Sequence, residues 1–159
     1  MLTWLTETTL GKIVATFFIS MAPVVELRAG LPYGIALGLD YPVALAAAVL
    51  GNLLPVPFII VFIRRIFTGL RKISVRLDRM VTKMENKAHL KGHLVQKYGP
   101  LGLCLLVAIP LPGTGAWTGS LVAAFLDLRL KRAIPSIVLG VFIAAGIMTA
   151  VTYGLIHIF

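Results

Sequence analysis

At 159 residues, 58% of them hydrophobic and 13% charged, the chain carries more apolar side chains than a soluble domain of this length can bury, so it reads as a single-domain, all-α integral membrane protein. The net charge of +9 would suit nucleic acid, but its placement excludes that partner: ten of the fifteen Lys and Arg fall within residues 64–97, against only Asp78 and Glu85, as expected for a cytoplasmic segment beside anionic lipid. One cysteine, Cys104, excludes an intrachain disulfide and a cysteine-based zinc site.

Residues 1–8 suit the membrane interface, with Trp4 at headgroup level, and the stretch Thr3-Trp4-Leu5-Thr6-Glu7 lacks the positive start of a cleavable signal. Residues 10–25 form an apolar arm interrupted by Pro23, which either spans or makes half of a hairpin. The tip Glu26-Leu27-Arg28-Ala29-Gly30-Leu31-Pro32-Tyr33-Gly34 sets two opposite charges between apolar flanks, and a short second arm runs over 31–39 to a turn at Asp40-Tyr41-Pro42. Residues 42–63 carry no charge and are long enough to span, with a kink expected at Pro55 and Pro57.

Beyond that span, Ile66, Leu70, Ile73, Leu77, Met80 and Met84 recur at three- and four-residue steps among Arg and Lys, which predicts a basic amphipathic helix within 64–97. Such a helix lies on the inner leaflet or packs as a coiled coil, and its almost uniformly basic polar face favours the leaflet. After Lys97-Tyr98-Gly99-Pro100 comes an apolar run over 101–126, broken by Ile109-Pro110-Leu111-Pro112-Gly113-Thr114-Gly115-Ala116-Trp117-Thr118-Gly119-Ser120. A segment so rich in Pro and Gly cannot cross hydrocarbon as one helix, and its arms fall short of the roughly 20 residues a crossing takes. It is therefore expected as a re-entrant hairpin, followed by a basic turn at 127–132 and an uncharged span over 133–157 with Pro135 in its first turn.

Both ends of the second hairpin are basic, which places them, with the 64–97 segment, on the cytoplasmic side of a plasma (inner) membrane. The first hairpin, flanked by Glu7, Lys12 and Asp40, should open outward, leaving both termini outside. The expected fold is thus an inverted repeat of a re-entrant helical hairpin plus a transmembrane helix: a first half at 1–63 (hairpin about 10–39, span 42–63), a basic amphipathic connector at 64–97, and a second half at 98–159 (hairpin about 101–126, span 133–157). Gly30-x-x-x-Gly34 echoes Gly115-x-x-x-Gly119, Pro23 echoes Pro110, Asp40 echoes Asp127, and Val49-Leu50-Gly51 echoes Val138-Leu139-Gly140, at offsets of 85 to 89.

Inverted repeats with broken helices build substrate sites near the midplane. Glu26 can take up and release a proton, and Arg28 can hold a phosphate or carboxylate through paired hydrogen bonds; the alternative is a structural ion pair. At the second tip, Thr114, Thr118 and Ser120 offer hydroxyls while Gly113 and Gly115 allow close backbone approach, either to cradle an anion or to pack on the facing hairpin. Trp117 either gates a cavity or packs, and Asn52, before two prolines, is expected to bond freed backbone groups. With Pro32, Pro110 and Pro112 at the breaks, these residues are the candidate substrate and proton site. His89 and His93 stand at helical metal-ligand spacing without a further ligand, so no metal, cofactor or catalytic constellation is expected and the chain does not read as an enzyme.

Glu26-Leu27-Arg28-Ala29-Gly30-Leu31-Pro32, Gly51-Asn52-Leu53-Leu54-Pro55-Val56-Pro57-Phe58 and Ala108-Ile109-Pro110-Leu111-Pro112-Gly113-Thr114-Gly115-Ala116-Trp117-Thr118-Gly119 closely resemble the signature segments of the putative small multidrug export protein family, over roughly residues 20–155. That family is thought to be distantly related to the DedA and VTT-domain proteins, and the resemblance implies two inward-pointing re-entrant hairpins and the movement of lipids, polyprenyl phosphates included, with suspected proton coupling. DedA proteins typically carry an Arg just after the Pro-Gly of the second hairpin; here Thr114 and Gly115 stand there, and the Arg lies on the first hairpin at Arg28.

The leading expectation is a small transporter or lipid translocase for an anionic lipid or amphipathic solute, with anionic lipids held at 64–97. The alternatives are a non-transporting scaffold that organises membrane through the basic helix, and a channel. With so few spans, a homo-oligomer fits either.

Overall fold

Proline and glycine set where the helices stop. The computed structural model describes residues 7–23, 25–111 and 113–158, with side chains described through Thr152; Trp4, Pro112 and the side chain of His157 lie outside this set. Among the described residues the secondary structure is entirely helical, in the order α1 (Thr9–Met21), α2 (Glu26–Ala36), α3 (Tyr41–Leu53), α4 (Pro55–Ile73), α5 (Val75–Lys91), α6 (His93–Tyr98), α7 (Pro100–Ala108), α8 (Ala116–Phe125) and α9 (Leu130–Ile158). Two stretches are long and apolar enough to cross a membrane, Tyr41–Ile73 and Leu130–Thr152. Each carries large apolar side chains that remain exposed, Phe58 and Phe62 on the first and Leu139 and Phe142 on the second, a surface suited to lipid rather than water. The chain divides into two compact units, Met1–Pro55 with Val141–Phe159, and Val56–Gly140.

In the first unit α1 and α2 pack antiparallel through small residues. A Cβ on Gly30 would meet Ser20, and one on Gly34 would meet Thr16 on α1 and Ala44 on α3. The third helix then crosses α1 so closely that a Cβ on Gly51 would lie 2.2 Å from the Phe17 carbonyl oxygen. Thr8 caps α1, its Oγ1 accepting from the Gly11 N–H at 3.0 Å. Tyr41 and Thr149 join their hydroxyls in the same unit. Contrary to a second arm starting at residue 31, α2 begins at Glu26 and runs through Pro32. One proline inside a helix withdraws a single N–H, and a carboxylate in the first turn is favoured by the helix dipole, so both are accommodated.

In the second unit α7 and α8 form the other short pair, and a Cβ on Gly119 would fall 2.5 Å from Val107 Cγ2. The start of α9 packs on this pair at Gly140, where a Cβ would lie 2.8 Å from the Cys104 carbonyl oxygen. The span expected to end at residue 63 belongs to a helix that continues to Ile73, because Arg64 and Arg65 change its polarity without breaking its hydrogen bonding. Ser74 then caps α5. Val81 and Ala88 of α5 are buried and the helix packs on α8, so part of its apolar face is covered within the unit rather than left for a leaflet. Phe125 lies against Phe67 and the His89 ring, at centroid distances of 5.7 and 6.2 Å. Arg64 reaches around this cluster to Asp127 Oδ1 at 2.5 Å and the Phe125 carbonyl at 3.2 Å.

The turns after α2 and α8 share one bonding pattern, 89 residues apart. Leu39 N–H donates to the Gly34 carbonyl at 3.1 Å and Leu128 N–H to that of Ala123 at 3.0 Å; Ala44 donates to Asp40 and Ala133 to Arg129, both at 3.0 Å. Each helix ends in a Schellman turn with one left-handed residue, Gly38 at φ 79° and Asp127 at φ 53°. This register pairs Gly38 with Asp127 and Gly30 with Gly119, whereas residue identity alone had suggested Asp40 with Asp127 and Gly30 with Gly115. Backbone conformation, not side-chain type, sets the correspondence. The Val49-Leu50-Gly51 and Val138-Leu139-Gly140 echo stands in this register, each glycine pressed against the first arm of its own unit.

Candidate functional site

Buried polar side chains are unevenly shared. Of the buried polar or charged side chains among the described residues, Thr16, Ser20, Glu26 and Asn52 belong to the first unit and Ser120 alone to the second. In the register of the turns, Glu26 corresponds to Gly115 and Asn52 to Val141, so neither group recurs 89 residues on. Thr16 and Ser20 donate to the carbonyls of Lys12 and Thr16 on their own helix, each at 2.8 Å, and Ser120 donates to that of Ala116 at 2.6 Å. These hydroxyls are satisfied locally, which turns attention to Glu26 and Asn52.

Glu26 is 4% exposed and takes φ 50°. A non-glycine residue in that left-handed region stores on the order of 1–3 kcal/mol. Its N–H donates to the Ala22 carbonyl at 3.1 Å, closing the tight connector into α2, and it belongs to the first turn of α2, where the helix dipole favours negative charge. Arg28 follows half-buried, and Pro32 is exposed on the same helix. Asn52 is 3% exposed near the end of α3, and its Oδ1 has no hydrogen-bond partner among the described residues. An unpaired buried amide oxygen costs about 1–3 kcal/mol.

The second tip is bonded to itself. Thr114 Oγ1 donates between the carbonyls of Ile109 at 2.6 Å and Leu111 at 2.7 Å, and accepts from the Leu111 N–H at 3.2 Å. Thr118 Oγ1 donates to the Gly113 carbonyl at 3.0 Å, and Lys91 Nζ donates to the same oxygen. Gly113 and Gly115 take φ 78° and 116°, which glycine alone adopts without strain in so tight a loop. Gly115 is buried, while Pro110 and Trp117 are half-buried. The structure thus brings Gly113, Thr114 and Thr118 together as a closed loop whose hydroxyl protons are already used. Lys91 was missed as a partner of this loop, because a basic residue among ten offers no sequence signal that singles it out.

No group of three or more His, Cys, Asp and Glu converges among the described residues, and His89 faces the Phe125 ring. A family model described as "Putative small multi-drug export protein" matches residues 26–147, from the buried Glu26 through Asn52 and the second tip into α9. The chain belongs to that family. No curated protein and no solved structure matches it significantly. As a small multidrug export family member with two membrane-length helices, it is a membrane protein, and its matched region holds every candidate site residue.

Proposed function

We propose that this family member moves a small amphipathic anion, a lipid phosphate or a solute of like chemistry, across the membrane, with Glu26 exchanging a proton and Arg28 holding the anionic group. The observation that carries this reading is the burial of Glu26 in a strained backbone conformation. A carboxylate withdrawn from water is costly and, at membrane depth, marks a functional pathway. The family name points to export.

In this reading the α1–α2 and α7–α8 pairs are re-entrant hairpins entering from opposite faces, a DedA-like arrangement. Support comes from helix length: at 1.5 Å per residue, arms of 13, 11, 9 and 10 residues reach at most ~20 Å, short of the ~30 Å hydrocarbon core. The repeated turn after each pair agrees with two equivalent halves. The basic segment then faces the cytoplasm on a plasma membrane, with anionic lipid against Arg76, Arg79, Lys83 and Lys87, all exposed on α5. The protein acts by transport, without covalent chemistry.

The test is movement of NBD-labelled phosphatidylglycerol, read by dithionite quenching, and efflux of an anionic dye from proteoliposomes. Wild type should move at least one, and Glu26→Gln and Arg28→Ala should reduce that rate at least tenfold while remaining monodisperse in detergent. Wild-type rates in both variants, or no movement by wild type, overturn the proposal.

A further inference from the structure

Between α4, α5 and the end of α8, within the second unit, lies a cavity of about 570 Å³, in the range of small-ligand sites. Arg64, Thr68 and Arg71 line it from α4 at steps of four and three residues, and Glu85 and His89, four apart, line it from α5. Phe67, Phe125 and the His89 ring give it an aromatic wall. Carboxylates hold both guanidiniums in place: Arg64 donates to Asp127, and Arg71 donates to Glu85 and lies 3.8 Å from Asp78. The two arginine side chains are 46% and 39% exposed, and pairs left open to solvent contribute little, so they orient the cations without closing the cavity to a competing ligand. Of the five N–H donors on each guanidinium, Arg64 uses two, on Asp127 and the Phe125 carbonyl, and Arg71 one, on Glu85, among the described residues. Glu85 is the carboxylate among the lining residues; Asp78 and Asp127 do not line the cavity.

We propose that this cavity holds the headgroup of a zwitterionic phospholipid with a primary ammonium, a phosphoethanolamine, its phosphate on Arg64 and Arg71 and its ammonium on Glu85. Charge decides the class. An anion alone would stand against the Glu85 carboxylate and a cation alone against two guanidiniums, whereas a ligand of both signs meets a partner for each. A phosphodiester has two free oxygens, one for each guanidinium, and an ammonium beside the Phe67 and Phe125 rings gains from their faces as well. Location points to lipid as the source. Arg64 follows the uncharged residues 42–63 of the crossing helix, so the cavity opens where hydrocarbon gives way to headgroups. Phe62 and Ile66, exposed on the same helix, offer apolar surface to the acyl chains. Glu26 and Arg28 belong to the other unit, and this assignment concerns binding at equilibrium, so it stands or falls apart from transport.

The experiment is thermal unfolding of the full chain in detergent micelles doped with phosphatidylethanolamine, phosphatidylcholine or phosphatidylglycerol of the same acyl chains, or with free phosphoethanolamine in solution. Phosphatidylethanolamine should raise the wild-type Tm saturably, by roughly 4 °C over both other lipids. Phosphatidylcholine has no N–H for Glu85, and phosphatidylglycerol has no ammonium. Glu85→Gln should lose that preference, and Glu85→Lys should turn it to phosphatidylglycerol. Joint Arg64→Gln and Arg71→Gln should lose the rise with every lipid, and the two Glu85 variants keep the test decisive if that double variant does not fold. Four results overturn the proposal: equal wild-type Tm values in the three lipids, a wild-type preference for phosphatidylglycerol, an undiminished phosphatidylethanolamine preference in Glu85→Gln, or a rise with free phosphoethanolamine and none with the lipid.

Discussion

Two side chains depart from ordinary backbone geometry: among the described residues, Glu26 and Asp127 are the non-glycine positions at positive φ. They differ in what surrounds them. Asp127 has an exposed side chain in a turn where the first unit uses Gly38, and its bond to Arg64 is solvent-accessible and so worth at most about 1 kcal/mol. Asp127→Gly should therefore unfold within a degree or two of wild type, while Asp127→Ala, which loses the ion pair and keeps the strain, should be about 1 kcal/mol less stable than the glycine variant. Denaturation of both in the same detergent decides the order. Glu26 offers no such relief, since its carboxylate is buried. Its place at the break of an apolar stretch was legible in the sequence, as was that of Asn52 ahead of two prolines. The unpaired state of the Asn52 oxygen and the left-handed φ of Asp127 were not, because both depend on which groups the folded backbone brings near. The hydroxyls of Thr114 and Thr118 were legible as present, yet their use inside the loop follows from a turn geometry that composition does not encode.

Helix contacts are set by glycines at two crossing points. A methyl at Gly51 would overlap the Phe17 carbonyl, and one at Gly140 would overlap Val107 Cβ and the Cys104 carbonyl, so neither clash can be relieved by turning a flexible side chain. Gly51→Ala and Gly140→Ala should each destabilise by roughly 1–3 kcal/mol. Gly69 has nothing within 4 Å of its would-be Cβ, and Gly69→Ala should be neutral or raise stability by up to about 1 kcal/mol. Thermal melts of the three variants side by side test the packing directly. The helix breaks at residues 22–25 and 109–115 coincide with Pro23 and with the proline and glycine cluster of 110–115, since those residues act locally. Where a polarity change occurs without such residues, as at Arg64, the helix runs on to Ser74, and charge patterning alone mistook a change of surroundings for a boundary.

For the molecule as a whole, the two long helices expose apolar surface while α5 presents cations, so orientation in a bilayer follows from charge. If α7 and α8 dip in and return, Lys97 and Arg129 share one face of the membrane. Single cysteines at those positions, introduced with Cys104 replaced by serine, should react with a membrane-impermeant maleimide from the same side. Labelling from opposite sides would remove the re-entrant hairpin and the export route with it. Length and hydropathy made the two membrane-length helices and the short pairs legible at this scale. The unequal distribution of polar groups was not, because it emerges only when the halves are aligned by backbone bonding.

The connector between the arms differs by three residues: residues 22–25 join α1 to α2, whereas residues 109–115 join α7 to α8. The shorter link is closed by an acidic residue under torsion; the longer one is tied down by threonine hydroxyls and a lysine. One link is thereby fixed by its backbone, while the other can be unfastened bond by bond. Motion, wherever this molecule flexes, should begin in the longer link.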